Sequence, residues 1–499
     1  AFSLMTCIRG VHRISRIHRP RLQGVQVVAR RLPPERRTGL TVVCAGVAQT
    51  TPGGDDHHST GDIWRPNPRS VVRRMGAIVQ FSIPVLLVPI ADPLMSLIDV
   101  IFLGQLSTSL NVAGLSPATL IFNFLFYSFT ALTIATIATV ATKLREDNED
   151  EAGLVLSTSL MIGLVAGATV GLLLQRNAEM LLRLTKCEEI LLPIARTYLS
   201  IRSWAFPAAI ATSVLQGSFI AQRDSRTPFY VVATSILLSA LGDFVLIRSG
   251  FGIAAAAWTT LLSQYFSAAV LLWRARRVES RVRPRWVLPD RKETLELVEY
   301  VLRLGVFYVS KTSSYLFLQA AAARLSPMSM AAHQAVWSLW GLCSFTHAPL
   351  EQASLAFLPT ARPGEDKNEL TIALIACGGT LGVICTLFSV GIPTFLPQLL
   401  TSDVTLYPVM RQIALPAMVA MLCCGFDVTS TGVLLANRDT TYVARAMLLS
   451  LLVLVGYLGW QLYFVGGFTV QTVWRGLVLF FLSRLVQSLP RVVAAHMAK

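Results

Sequence analysis

Ile83 to Gln105 reads IPVLLVPIADPLMSLIDVIFLGQ, a run apolar enough to cross a bilayer that nevertheless carries two acids, Asp92 and Asp99. A bilayer core takes about 20 mostly apolar helical residues. A carboxylate near its centre costs on the order of 3 kcal/mol on insertion scales, so such residues usually face protein or water and mark a pathway. Asp92, Met95, Ser96 and Asp99 recur at i, i+3, i+4 and i+7 and share one helix face. Pro89 and Pro93 fall just before and within that stripe, where each removes a backbone donor and invites a bend. The pattern points to a helix that lines a cavity and offers an acid to a proton or cation, with Asp99 ahead of Asp92. The competing reading puts Asp99 at a helix end among the headgroups.

Composition supports a membrane chain. Of 499 residues 53% are hydrophobic and 14% charged, against about 25% charged in soluble domains. A net charge of +15 would suit nucleic acid, but no aromatic–basic RNA motif or zinc spacing accompanies it, and long apolar runs separate the charges. Basic residues beside apolar spans orient a membrane protein and touch anionic lipid. The eight cysteines are scattered without a C-x-x-C, so neither a disulfide framework nor a metal site is expected. There is no G-x-x-x-x-G-K-[ST] to hold a nucleotide and no pair of Asp-rich motifs for a magnesium-bound diphosphate. Those absences argue against an ATP-driven pump and an intramembrane prenyltransferase. No enzyme activity and no cofactor are expected.

Residues 1–75 are a different material, with nine arginines from Arg9 to Arg37 against one acid, Glu35, before Asp55. Arg-rich, acid-poor leaders resemble organelle transit peptides; the alternative is a disordered cytosolic tail. From residue 77 onward twelve apolar segments follow, six within 76–274 and six within 297–490, separated by a basic loop at 275–296 and followed by a short tail, 491–499. With an even number of spans, Arg73, Arg74, Lys143, Arg145, Arg223, Arg226 and the run from Arg274 to Lys292 all fall on one side, here side A. Side B's loops 104–111 and 465–467 carry no charge, so side A is the cytoplasmic or cytoplasm-derived face. Two details carry expectations of their own. The stretch 176–195 reads as an interfacial amphipathic piece, and Arg196 and Arg202 read as snorkelling to the interface.

The chain also repeats. LQGSFIAQRDSRTPF (215–229) aligns with STGVLLANRDTTYV (430–443), matching Gly217 with Gly432, Arg223 with Arg438 and Asp224 with Asp439. Two six-helix lobes follow, related by an axis along the membrane normal and enclosing a cavity. The first lobe adds a second acid, Asp243 in SALGDFVLI, whose competing reading is a helix-end acid paired with Arg248. Desolvation favours the neutral carboxyl, so such an acid can take up a proton on one side and give it up on the other. A tenfold ion ratio supplies about 1.4 kcal/mol per ion, and 100 mV adds roughly 2.3 kcal/mol per charge. The second lobe holds Arg303, Lys311, His333, Gln334, His347, Glu351 and Asp427. Asp427 is a third candidate for ion coupling. Asn123, Tyr127, Lys311, His333, Gln334 and Trp337 are candidates for the substrate cavity.

PLMSLIDVIFLGQLS, AGLSPATLIFNFLFYSF, LQGSFIAQRDSRTPF, AAHQAVWSLW and LLANRD together resemble the multidrug and toxic compound extrusion (MATE) family over about residues 80–490. APLEQASLAFLP and TSTGVLLANRDTTYV resemble most its plant plastid-associated branch within the DinF-like portion. The resemblance implies an all-α membrane protein of twelve helices in two six-helix lobes. It further implies a monomer in the lipid bilayer that exports small organic solutes against protons or sodium, with the plastid envelope favoured. It assigns the first-helix acid to Asp99, the fifth-helix acid to Asp243 and the basic residue of the seventh helix to Lys311. Many relatives place a Glu directly before the glycine of the tenth helix, where this chain has Thr431, with Asp427 one turn earlier as a possible substitute. The alternatives are a flippase of lipid-linked precursors, which would need a cation-lined cavity, and a degenerate sensor or scaffold.

Overall fold

The computed structural model describes residues 67–497 apart from 107–108, 186, 188, 278–279, 286–290, 363 and 401–402. The basic leader therefore lies almost wholly outside the described residues. The described chain is helical from end to end. The first lobe comprises α1 (Pro68–Val85), α2 (Leu87–Leu106), α3 (Ser109–Ser128), α4 (Thr130–Arg145), α5 (Glu149–Leu184), α6 (Leu192–Ser203), α7 (Phe206–Ala221), α8 (Arg226–Leu246) and α9 (Ile253–Arg276). The second comprises α10 (Arg291–Ala322), α11 (Pro327–Phe345), α12 (Ala348–Phe357), α13 (Glu365–Ser389), α14 (Gly391–Phe395), α15 (Tyr407–Ala436), α16 (Thr440–Trp460) and α17 (Val470–Met497). Joined end to end where they break, these make twelve spans, six in each lobe.

Local chemistry sets the boundaries. Asn67 caps α1 by accepting from the Arg69 amide at 3.1 Å, with Pro68 in the first turn. The α1–α2 break at Leu86 falls three residues before Pro89, which has no amide proton to continue the ladder. Asn148 caps α5, and Glu149, Asp150 and Glu151 complement its dipole. At 36 residues α5 runs straight through 176–184 instead of turning into an interfacial piece. A helix that long spans about 54 Å, so its end stands clear of the hydrocarbon. There Glu179 pairs with Arg183 at 3.1 Å and with Arg196 at 3.3 Å.

Among the described residues nine helices are individually long and apolar enough to span, and α6 with α7, bent by 50°, makes a tenth. The remaining two spans, α10 and α11–α12, contain Lys311, His333, His347 and Glu351, which dilute their apolarity. The repeat is carried in backbone detail. Arg223 and Arg438 both take positive φ, 62° and 60°, where a helix ends before its partner begins. The fifth span of each lobe ends in a π-helical turn, Ile247–Phe251 and Gln461–Val465, followed by glycines at positive φ.

Packing places the cores within the lobes. In the second lobe α15 lies between α13 and α17, and Gly378 of α13 meets Gly425 of α15 so closely that a Cβ on either would stand 2.5 Å from the other's carbonyl oxygen. Small residues of this kind let membrane helices approach. The first span belongs to both lobes. Its α2 half packs on α8, while its α1 half packs on α13 and α12 of the second lobe. There Ser70 and Arg74 bond Glu369, Arg74 Nε at 3.2 Å, and Arg74 also pairs with Asp366.

Candidate functional site

Between the lobes lies a cavity of about 1270 Å³. Its lining reaches Leu184, Thr185 and Gln319 at the side-B ends of α5 and α10. Toward side A it extends no further along α4, α7, α12 and α15 than Ile134, Gln216, Gln352 and Thr431. Beyond that level the lobes meet. Phe81 and Phe357 touch edge to face at 5.2 Å, Arg223 stacks on Phe357 at 4.4 Å, and Arg74 grips Asp366 and Glu369. The molecule is thus open toward side B and closed toward side A.

Asn123, Tyr127, Lys311, Trp337 and Asp427 line this cavity, as does Asp92. His333 and Gln334 do not, in contrast to the expectation. Helical periodicity turns Gln334 outward, where it is exposed. His333 is 1% exposed behind the wall, stacked on Trp337 at 5.5 Å and set edge-on to Trp474 at 5.8 Å. Arg303 is exposed and pairs with Glu299, and of the four basic residues in α10 Lys311 alone reaches the cavity. His347 and Glu351 do not pair with each other. The His347 ring bonds backbone carbonyls of Cys343 and Ser344, and Glu351 accepts from Tyr308 at 2.7 Å.

The two first-lobe acids converge behind the cavity wall. Asp99 is 2% and Asp243 0% exposed, and neither lines the cavity. They are brought together by α2 packing along α8. Thr259 of α9 donates to Asp243, and Arg248 lies over Phe244 instead of pairing with it. One oxygen of each acid, Asp99 Oδ1 and Asp243 Oδ2, is buried without a partner, which leaves acceptor capacity for an incoming cation or proton. Arg202 does not snorkel. It is 6% exposed, stacks on Phe122 at 4.1 Å, and its Nε and Nη1 have no partner.

In the second lobe Asp427 meets a residue the sequence reading passed over. Arg484 of α17 reaches it with Nη2 at 3.3 Å and donates to Thr431 at 2.6 Å. An arginine amid the apolar 468–489 segment, opposite an acid-bearing helix, was the available signal.

Two lobes of six helices, with acids sealed inside one lobe beside an aromatic-walled vestibule, have the architecture of a polytopic membrane transporter. The MatE family model matches residues 84–245. Protein DETOXIFICATION 47, chloroplastic, from Arabidopsis thaliana is 28% identical over 388 residues, covering 76% of this chain and 71% of that protein. Protein DETOXIFICATION 44, chloroplastic, from the same plant is 26% identical over 436 residues, 82% of this chain and 80% of its own. DNA damage-inducible protein F of Escherichia coli is 25% identical over 203 residues, 40% and 44% of the two chains. Among solved structures, an outward-facing multidrug resistance MATE family transporter superposes with a TM-score of 0.74 at 18% identity, over 87% of this chain and 99% of that one. A transporter of the MOP superfamily from Pyrococcus furiosus gives 0.73 at 18% identity over 86% and 99%. The chain thus carries a MatE domain over residues 84–245 and is similar along most of its length to chloroplastic DETOXIFICATION proteins.

Proposed function

We propose that this chain is a secondary antiporter that exports small organic solutes through the inter-lobe cavity, driven by inward movement of protons or sodium through Asp99 and Asp243. The observation that carries this reading is the separation of the two sites. The solute path is the large aromatic-walled cavity, while the paired acids are enclosed in the first lobe on α2 and α8. The Asp92 face of α2 lines the cavity, so loading at Asp99 reaches the solute path along one helix. The flippase alternative wants a cation-lined chamber, and Lys311 is the single Lys or Arg among the residues lining this one, which weighs against it. The chloroplastic names of two relatives and the arginine-rich leader favour the plastid envelope. The test is transport by the purified chain in proteoliposomes under imposed pH and sodium gradients, against a panel of organic anions and cations. Asp99→Asn is expected to fold yet lose gradient-driven flux; coupled flux that survives this change would overturn the proposal.

A further inference from the structure

Asp427 lines the cavity at 5% exposure and was the expected coupling acid of the second lobe. Its surroundings assign it a different task. Arg484 is 1% exposed, its Nη2 is 3.3 Å from Asp427 Oδ1, and the same nitrogen donates to Thr431 at 2.6 Å. Thr431 and Ser488 face Asp427 Oδ1 at 3.4 and 3.5 Å. Phe307 closes the arginine's other side, its ring centre 5.3 Å from the guanidinium. Of the ionisable groups on α10, α12 and α15, those that line the cavity together with Asp427 are Tyr308, Lys311 and Tyr315 of α10, Glu351 of α12 and Cys424 of α15. Glu351 is held by Tyr308 at 2.7 Å, which leaves Asp427 as the acid that balances Arg484.

Arginine does not give up its charge in a protein. Neutralising Asp427 with a proton would strand that charge in the interior, and breaking a buried pair by removing one partner costs about 3–5 kcal/mol. A sodium ion beside Asp427 would have to displace the guanidinium at similar cost. We infer that Arg484 is the resident counter-cation of the second lobe, occupying the place beside Asp427 that a coupling ion would otherwise take. The second lobe then enters every cycle already neutralised, and the number of coupling ions is set by the first lobe. This rests on the exporter reading above and deepens it.

The test counts protons directly and needs no transported solute. Purified full-length chain in detergent is taken from about pH 8 to about pH 5, the range in which perturbed carboxyls titrate, and proton uptake per molecule is read with an indicator dye. Asp427→Asn should take up the same number of protons as the unchanged chain. Arg484→Gln should take up one more cation, proton or sodium, because the place beside Asp427 is vacated, and Arg484→Gln with Asp427→Asn should return to the original count. Binding of radioactive sodium should follow the same order. Gel filtration identifies a variant that fails to fold, and Arg484→Lys, which retains the positive charge, should keep the original count. Loss of one proton or of sodium binding in Asp427→Asn would overturn the inference, as would an unchanged count in folded Arg484→Gln. Asp99→Asn serves as the separate control: if its count is also unchanged, the first-lobe coupling itself fails, whatever the second-lobe variants do.

Discussion

Removing the acids that Arg74 grips should let the molecule open toward side A. Asp366→Asn with Glu369→Gln abolishes both ion pairs while preserving shape. The side chains are partly accessible, 24% for Arg74, 37% for Asp366 and 13% for Glu369, so each pair is worth only about 0.2–1 kcal/mol. Together they bias the equilibrium by about 0.4–2 kcal/mol, or about 2- to 30-fold in the population open to side A. Gln352 lines the side-A limit of the cavity on α12, so a thiol placed there by Gln352→Cys reports that opening. A membrane-impermeant maleimide added from side A should label it about 2- to 30-fold faster in the doubly neutralised background. High salt should narrow the difference, since these pairs are screened. Equal labelling rates in the two backgrounds would show that the ion pairs do not hold side A shut.

Three other outcomes follow from particular contacts. Asp243→Asn should match Asp99→Asn in losing gradient-driven flux if the two acids make up the proposed coupling site; unequal flux from the two variants in proteoliposomes would break that equivalence. Gly153→Ala should destabilise the protein by about 1–3 kcal/mol, because a Cβ there collides with the Arg283 carbonyl oxygen; thermal unfolding in detergent and proteolysis of the 275–296 loop measure it. Tyr308→Phe leaves the Glu351 carboxyl, 7% exposed, without its donor and should cost about 1–3 kcal/mol, again visible as a lowered Tm.

The twelve spans and the repeat were legible because both are local properties. Apolar length is read along the chain, and the Arg-Asp pairs at 223–224 and 438–439 mark equivalent helix junctions. The pairing of Asp99 with Asp243 was only half legible. Periodicity places Asp99 on the Asp92 face, yet α2 packing on α8 turns Asp99 into the lobe and leaves Asp92 at the cavity. His333 and Gln334 show the limit of the same reasoning, since adjacent helical positions point about 100° apart and sequence alone does not say which faces the partner lobe. Arg202 was read as snorkelling, because an arginine near a span's end is ordinarily drawn to the interface, and Arg484 was passed over. In both cases an aromatic ring, Phe122 or Phe307, covers the guanidinium instead.

The loop between the lobes is stapled to the first lobe before it reaches the second. Val282 is fully buried and its amide bonds Gln222 at 3.3 Å, the Arg285 amide bonds Ser157 at 2.7 Å, Arg281 pairs with Glu149 at 2.9 Å and Arg285 with Asp150. Only residues 286–290 then separate this anchorage from Arg291, where α10 begins. A fully stretched chain covers at most about 3.6 Å per residue, so the root of α10 stays on a leash of roughly 20 Å from Arg285. In the proposed exporter, that short tether caps how far the root of α10 can part from the first lobe on side A.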